Sequence, residues 1–367
     1  MRCIAFECAI TRIENFVEPF MQAGLFNYLC LKYRFIMKVL FIGGTGVLSS
    51  ACSELAISRG IDLYHLNRGL SAGIRNVRGA KTILADIRNF DEAAKALEGH
   101  SFDVVVDFIA FEPEHIRTDI ELFTAKTKQF IFISSASAYQ VPEKLPITEE
   151  TPLNNPFWEY SRKKIACENL LKEAFRNSGF PYTIIRPSHT YDKTKIPAIG
   201  GYTVLHRMLQ GLPVILPGDG TSIWTLTYNR DFAVGLVGLL GNQKAINEAF
   251  HITSDEWLSW NNIYQILAAE LGVTPIIIHI PSDIIVKYDT EIGAGLLGDK
   301  AHSMIFDNTK IRKYVPDFNP KVKLKDGAKE IIKWYKDNML LLEVDKHVND
   351  FMNRITSEFS DFTLKIK

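Results

Sequence analysis

The sequence predicts an α/β protein, with a Rossmann-type doubly wound parallel sheet followed by a smaller C-terminal α/β domain. Three observations indicate this fold class. Strand patterns alternate with helix patterns over residues 38–185, a glycine-rich turn separates the first strand from the first helix, and proline and glycine become frequent beyond Pro187. Strands that alternate with helices at this spacing form right-handed βαβ units, and such units build a parallel sheet.

The first βα unit carries the most informative turn. Residues 39–42 are a short apolar run typical of a strand buried on both faces. Gly44 and Gly46 then fill the first two positions of a G-x-G-x-x-G pattern, and Ser49 takes the third. Glycines in this context allow a tight turn, and the following helix N-terminus presents free N–H groups to a pyrophosphate. We therefore predict a dinucleotide site; the alternative is a buried turn that binds nothing.

Five more strand patterns follow in the N-terminal half. The predicted strands cover residues 62–66, 81–84, 102–108, 130–133 and 182–185, and helices are predicted at 91–97, 114–125 and 158–177. Ligands bind such sheets at the carboxyl ends of the strands. The residues expected at that edge, besides the glycine turn, are Asn67, Arg68, Asp86, Ala110 and Ser135.

The predicted domain organisation follows from the change of pattern after Pro187. We assign residues 37–190, with 229–250 returning to the sheet, to a cofactor-binding Rossmann domain; residues 191–228 and 251–338 to a substrate-binding domain; and residues 339–367 to a helical tail. An amphipathic helix within that tail is interpreted as a packing helix in preference to a homodimer contact. Residues 1–36 are expected to be an extension outside the core, because Met37 directly precedes the first strand.

Composition restricts the classes of partner. A chain of 367 residues with 47% hydrophobic residues can bury a large core, and 42 basic residues balance 42 acidic ones. The absence of net charge argues against nucleic acid or an anionic membrane as the main partner. No apolar run is long enough to span a bilayer. The five cysteines show no metal-binding spacing, so we expect no metal site and reduced thiols in a cytoplasmic protein.

Three polar residues suggest the chemistry. Tyr160 and Lys164 stand at positions i and i+4 of a predicted helix, so they share one face. Ser134 and Ser135 end a parallel strand on the edge where the cofactor turn lies. A phenol, an ammonium group and a hydroxyl suit proton transfer beside a hydride acceptor, and a nearby positive charge is expected to lower the tyrosine pKa. The alternative is an aromatic ring packed on a lysine stem.

Taken together, these motifs resemble the extended short-chain dehydrogenase/reductases of the NAD-dependent epimerase/dehydratase family. The resemblance covers residues 37 to about 335. The matching stretches are GGTGVLS at 43–49, ADI at 85–87, ISSASAY at 133–139, YSRKK at 160–164, RPSHTY at 186–191, PGDGTS at 217–222 and FHITSDEWLSW at 250–260.

The resemblance implies roles for individual residues. It implies that Ser135, in preference to Ser134, is the catalytic hydroxyl, that Tyr160 is the acid/base, and that Lys164 holds the ribose and tunes the tyrosine. The cofactor contacts implied in this way are Gly43, Gly44, Thr45, Gly46, Val47, Leu48, Asn67, Arg68, Asp86, Ile87, Ala110, Tyr160, Lys164 and Pro187.

The chain departs from the family pattern at three positions. Arg68 follows the second strand where an acidic residue normally binds the ribose of NAD, which favours NADP(H), unless the side chain is simply solvated. His189 and Trp224 stand where nucleotide-sugar enzymes often have an asparagine and a phosphate-binding arginine. An indole cannot replace the charge-assisted bonds of an arginine, so a nucleotide-sugar substrate is not favoured.

Substrate contacts are therefore expected at Ser135, His189 and Trp224. A protonated His189, Arg186 or Arg230 remains an alternative anion ligand, although each side chain could equally be structural.

The leading hypothesis is an enzyme with bound NAD or NADP that acts as an epimerase, dehydratase or reductase on a sugar, nucleotide sugar or related polyol. Ala136 and Ser137 stand where sugar-nucleotide dehydratases have an Asp-Glu pair, which favours an epimerase or reductase. The alternative is an atypical member that binds RNA, as relatives resembling chloroplast stem-loop RNA-binding proteins do, or a regulatory NAD(P)-binding protein.

Overall fold

The computed structural model describes residues 36–70, 75 and 77–366, without the side chains of residues 341 and 360–366. Residues 1–35 of the predicted extension lie outside this described part. The strands are β1 (Lys38–Ile42), β2 (Asp62–Asn67), β3 (Lys81–Leu84), β4 (Phe102–Asp107), β5 (Thr127–Ile133), β6 (Tyr182–Pro187), β7 (His189–Tyr191), β8 (Val214–Pro217), β9 (Ile223–Tyr228), β10 (Glu248–Ile252), β11 (Trp257–Ser259) and β12 (Ile277–Ile280).

The α-helices alternate with these strands through the first half of the chain. They are α1 (Val47–Ser58), α2 (Phe90–Ala96), α3 (Pro113–Phe123), α4 (Glu159–Ser178), α5 (Tyr202–Leu209), α6 (Asn229–Leu239), α7 (Trp260–Leu271), α8 (Ser282–Tyr288), α9 (Thr290–Gly295), α10 (Thr309–Tyr314), α11 (Leu324–Asn338) and α12 (Lys346–Ile366). A short π-helical turn, Leu296–Lys300, follows α9. No described helix is both long and apolar enough to cross a membrane.

Seven strands form the main sheet, in the order β10-β6-β5-β4-β1-β2-β3. All its pairings are parallel. Central strands such as β4 are buried on both faces, which explains their continuous apolar runs. The predicted Rossmann-type doubly wound sheet is thus confirmed. Its order reverses beside β1, so the crevice for a ligand opens at the carboxyl ends of β1 and β4.

The buried apolar residues form two large clusters. One lies between the main sheet and its helices, with Leu40, Val105 and Phe132 near its centre. The other belongs to the C-terminal half and contains Trp260 and Ile331. Small two- and three-stranded sheets, β12-β8 and β11-β9-β7, lie in this half, which agrees with a smaller α/β region beside the Rossmann sheet.

Two C-terminal helices follow simple local rules. The Ser259 side chain caps α7 by accepting a hydrogen bond from the Asn262 N–H, and Gly272 ends the helix with a φ of 83°. The tail helix α12 places Phe351, Met352 and neighbouring apolar residues in the C-terminal cluster. This burial agrees with the packing interpretation of the tail.

Candidate active site

The glycine turn after β1 is a position where only glycine fits. Gly43 has a φ of +81°, and a Cβ there would come within 2.5 Å of Ile109. A Cβ on Gly44 would lie 2.4 Å from the His65 ring. The turn therefore packs tightly against β2 and the β4 end, and no side chain of its own covers the backbone that faces the crevice.

Ser49 contributes more than its small size to this turn. Its hydroxyl accepts a hydrogen bond from the Gly46 N–H at 2.7 Å and donates one to the Gly43 carbonyl at 2.6 Å. The Gly44 N–H donates to the Asn67 side-chain oxygen at 3.1 Å. Asn67 therefore shapes the turn through its side chain, whereas the sequence argument had placed it against the cofactor.

The predicted adenine end lies at the tips of β2 and β3. The Arg68 guanidinium is 61% exposed and lies 3.8 Å from the Asp86 carboxylate, which also accepts a hydrogen bond from the Arg88 N–H. Ile87 is buried in the sheet cluster. Ala110 is buried as well and does not line the cleft described below, whereas its neighbours Ile109 and Phe111 do; its place in the cofactor channel stays a prediction.

A cleft of about 620 Å³ opens over the carboxyl edge of the sheet. Ser135, Tyr160 and Lys164 all line it. The Lys164 Nζ atom lies 5.7 Å from the centroid of the Tyr160 ring, and the Ser135 side chain is near enough to the Tyr160 hydroxyl to lower the tyrosine pKa. The structure thus brings together three side chains from two segments. Gly43, Gly46, Val47, Leu48 and Pro187 line the same cleft, while Gly44, Thr45, Asn67, Arg68, Asp86 and Ile87 do not.

Two carbonyl groups hold the Lys164 ammonium. It donates to the Ala110 oxygen at 2.6 Å and to the Ile133 oxygen at 2.8 Å. Burial lowers the pKa of Lys164 to about 8. Burial also raises the pKa of Tyr160 to about 12, against the smaller effect of the Ser135 side chain. Among the protein groups, desolvation thus has the largest effect on Tyr160, and the lowering expected from the ammonium together with the positive ring of a bound cofactor stays a prediction.

The two adjacent serines differ in their hydrogen-bond partners. Ser134 donates to the Glu168 carboxylate at 2.7 Å, and Arg186 forms a two-point ion pair with the same carboxylate, with contacts of 2.9 and 2.7 Å. Arg230 is paired with Glu330. Ser134 and both arginines thus have carboxylate partners within the protein. Ser134 and Ser135 both line the cleft, and the Ser135 hydroxyl is hydrogen-bonded to the Ser137 hydroxyl at 2.9 Å.

The far end of the cleft contains His189 and Trp224, whose rings lie 4.8 Å apart. Burial, together with the charges of Lys300 and Lys195, holds the pKa of His189 well below its ordinary value, which favours the neutral ring over the protonated form that an anion would require. The His189 Nε2 and Trp224 Nε1 atoms are buried and have no hydrogen-bond partner among the described residues.

Lysines at this end were missed by the sequence argument. Lys195, Lys300 and Asp299 line the cleft, together with Trp158. Lys195 lies in a loop and Lys300 ends the π-helical turn, so neither belongs to a recognisable spacing. The sequence feature that accompanies Lys300 is the G-D-K triplet at 298–300, in which a glycine precedes an acidic and a basic residue. Among the described residues no group of three or more His, Cys, Asp or Glu side chains is placed to hold a metal ion.

The sheet order, the glycine turn and the Tyr-Lys helix place the chain in the class of extended short-chain dehydrogenase/reductases. A family model described as "NAD dependent epimerase/dehydratase family" matches residues 39–253. The chain belongs to this family.

Individual relatives are more distant. The chain is 26% identical over 255 residues to the chloroplast stem-loop binding protein of 41 kDa b of Arabidopsis thaliana, covering 66% of this chain and 65% of the relative. It is 32% identical over 169 residues to a UDP-glucose 4-epimerase of Lactobacillus helveticus, covering 41% of this chain and 51% of the relative. The chain thus matches less than two thirds of either relative's length.

A solved structure gives the same picture of the fold. UDP-glucuronic acid 4-epimerase from Bacillus cereus, in complex with UDP-glucuronic acid and NAD, superposes with a TM-score of 0.66 at 21% identity, covering 82% of this chain and 99% of that chain. At this identity the likeness shows the shared fold.

Proposed function

We propose that the chain is an NAD(P)-dependent epimerase or reductase that transfers a hydride to or from a sugar, nucleotide sugar or related polyol. The meeting of Ser135, Tyr160 and Lys164 in one cleft is the observation that carries this proposal. Family membership supports an enzyme of the epimerase, dehydratase or reductase kind.

The glycine turn fits a nicotinamide dinucleotide. No Cβ covers the backbone of Gly43 or Gly44, and the first N–H groups of α1, at Val47 and Leu48, lie beyond reach of intrahelical acceptors. Such N–H groups and the helix dipole favour a pyrophosphate. The exposed guanidinium of Arg68 favours the 2′-phosphate of NADP(H) over NAD.

The chain's own groups move the proton. At neutral pH Tyr160 is protonated and Lys164, with a pKa of about 8, is largely charged. The phenol donates its proton to a substrate carbonyl oxygen, which the Ser135 hydroxyl also binds, and the Lys164 ammonium stabilises the phenolate that remains. The nicotinamide supplies the hydride chemistry, and in its oxidised form a positive charge that favours the phenolate needed for the reverse reaction.

The test is to replace Tyr160 by Phe in the full chain. Turnover on a panel of sugars, nucleotide sugars and polyols should fall by about 100- to 10,000-fold, the usual contribution of a general acid/base, while binding of NADH and NADPH by calorimetry stays close to that of the wild type. Tyr314→Phe is the control, because that ring packs on Phe250 away from the cleft. Unchanged turnover in Tyr160→Phe would remove the acid/base role.

A second candidate function is RNA binding, which the relative named a stem-loop binding protein favours. Filter binding with a stem-loop RNA at increasing salt separates the two. Salt-sensitive RNA affinity in a protein that binds neither NADH nor NADPH would reverse the order of the two candidates.

A further inference from the structure

The end of the cleft beyond Tyr160 carries more positively than negatively charged side chains. Lys195 and Lys300 both line it, and Asp299 is the one carboxylate among its described lining residues. Asp299 lies 3.6 Å from the Lys300 ammonium, and burial raises the pKa of this carboxyl group. Two ammonium groups thus face a single carboxylate, and the neutral His189 ring adds no charge. The local charge is positive.

Lys195 has no ion-pair partner among the described residues, although the charge of Asp192 acts on it from further away. Its ammonium group makes no hydrogen bond or ion pair with the described residues, although its backbone N–H donates to Asp192. Lys195 is an exposed residue that lines the same cleft as Lys300. Desolvation of its ammonium group and the charge of Lys300 lower the pKa of Lys195, against a smaller opposite effect of Asp192. An arrangement of like charges around one cleft is stabilised by an anion that lies between them.

Lys300 is held in place by its backbone. It ends the π-helical turn, a feature that often occurs at functional sites. Its carbonyl accepts a hydrogen bond from the Trp260 indole at 2.9 Å, and the Gly298 carbonyl accepts one from Asn155 at 2.6 Å. A Cβ on Gly298 would lie 2.8 Å from both Asn155 and Trp158, so the turn is packed closely against the loop that leads into α4.

Aromatic rings position the Lys300 ammonium beside the catalytic tyrosine. Its Nζ atom lies 4.9 Å from the centroid of a Trp158 ring and 5.3 Å from that of Trp224. The Trp158 and Tyr160 rings are 4.9 Å apart. An anionic group bound by Lys300 would therefore belong to the same small molecule as the oxygen that Tyr160 protonates.

Two unpartnered polar atoms complete this end of the cleft. Trp224 is 2% exposed, and neither its Nε1 atom nor the Nε2 atom of His189 has a described hydrogen-bond partner. A buried polar group without a partner destabilises a fold by roughly 1–3 kcal/mol. The indole N–H is a donor only, and it is enclosed by the surrounding side chains, so Trp224 presents its ring to the Lys300 ammonium.

We propose that Lys195 and Lys300, which line the cleft beside Trp224, form an anion subsite for a carboxylate or a phosphate monoester of the substrate, which makes the substrate an acidic sugar or polyol. This inference rests on the proposed function, since it names the substrate class of the same cleft. A volume of about 620 Å³ is within the range that one small ligand fills. The nicotinamide shares that space, so a compact acid fits better than a second nucleotide.

The experiment uses the full chain with NADPH present and measures binding of four probes by calorimetry: glucuronate, glucose 6-phosphate, glucose and UDP-glucose. We expect glucuronate, glucose 6-phosphate or both to bind more tightly than glucose and UDP-glucose. Whichever of the two acids binds more tightly identifies the preferred anion as a carboxylate or a phosphate. Lys195→Gln and Lys300→Gln should each weaken acid binding by about 10- to 100-fold, the loss for a hydrogen bond to a charged group.

Lys193→Gln is the matched control, because Lys193 is exposed on the same loop and does not line the cleft. Acid binding that survives both cleft substitutions, acids that bind no better than glucose, or tighter binding of UDP-glucose would each overturn the proposal. If the Lys300→Gln variant does not fold, the acid affinity of the Lys195→Gln variant decides the outcome, because Lys195 is exposed and its replacement should not affect folding. NADPH binding is measured separately; its absence would reject the proposed function, while the probe comparison would still decide the anion subsite.

Discussion

The two ends of the cleft differ in how their polar groups are satisfied. At the glycine turn, Ser49 and Asn67 bond the backbone of Gly43, Gly44 and Gly46, so the protein itself satisfies these turn groups. At the substrate end, the ring nitrogens of His189 and Trp224 have no described partner, and Lys195 has no counter-ion among the described residues. The first end is preorganised by the chain, whereas the second is completed only by a ligand.

This difference explains why one end tolerates little change. A turn whose atoms are already packed and bonded loses stability when any of them is altered. An end with unpartnered atoms loses little stability when they are removed, because they contribute to binding and not to folding. Three measurements of the free energy of unfolding test this contrast.

The largest expected effect is that of acid on the cofactor end. His65 is 3% exposed, its Nε2 atom lies 2.7 Å from the Ser53 hydroxyl, and burial lowers its pKa to about 4. The unfolded chain binds this proton near pH 6.5, so stability that is complete above pH 6.5 is lost as the pH falls toward 4. We expect His65 to account for a loss of about 3 kcal/mol between pH 7 and pH 4.

Urea denaturation of wild type and His65→Asn at both pH values measures this contribution. The variant should lose less stability on acidification than the wild type. Equal losses in the two proteins would show that His65 is not held neutral by the fold.

The second prediction concerns the glycine turn. Gly44→Ala places a methyl group 2.4 Å from the His65 ring, and overpacking of this kind destabilises a fold by about 1–3 kcal/mol. Gly46→Ala is the comparison, since its nearest neighbour, the Ser49 hydroxyl, is 3.2 Å away. We expect Gly44→Ala to lower the free energy of unfolding more than Gly46→Ala. A stable Gly44→Ala variant would contradict the close packing of the turn.

The smallest effect is expected at the substrate end. Trp224→Phe removes an N–H without a described partner, which relieves a desolvation penalty, but it also leaves a small cavity; because the two effects oppose each other, the free energy of unfolding should change by less than about 1 kcal/mol. Trp260→Phe is the matched control, because that buried indole donates to the Lys300 carbonyl and its loss should destabilise the protein by about 1 kcal/mol more. Equal effects of the two substitutions would mean that the Trp224 N–H is bonded in the folded protein.

Much of the fold was predictable because its signals are local. The apolar run of β1, the glycines after it and the cap at Ser259 act over a few residues, and the structure confirms the sheet they imply. Tyr160 and Lys164 share a helix face by their spacing alone. The role of Asn67 was missed, because its side chain, at the end of β2, bonds the Gly44 N–H in the turn after β1, 23 positions away in the sequence.

Within the candidate site, the roles of several charged residues depend on which other residues they contact in the folded protein, and the residue type alone did not reveal these contacts. Arg186 could bind an anion or a carboxylate of the protein, and only the position of Glu168 on α4 settles this. Burial, which no spacing reveals, keeps His189 neutral and raises the Tyr160 pKa.

By itself, the sequence determined a parallel Rossmann-type sheet, a glycine turn for a dinucleotide and a Tyr-Lys pair on one helix, because hydrophobic period, glycine geometry and helical spacing act between near neighbours in the chain. Only the tertiary structure decided which charges are paired, which polar atoms remain unpartnered, and that Lys195 and Lys300 meet at one end of the cleft. These properties depend on desolvation and on Coulomb interactions between distant segments, and both are set when the chain folds.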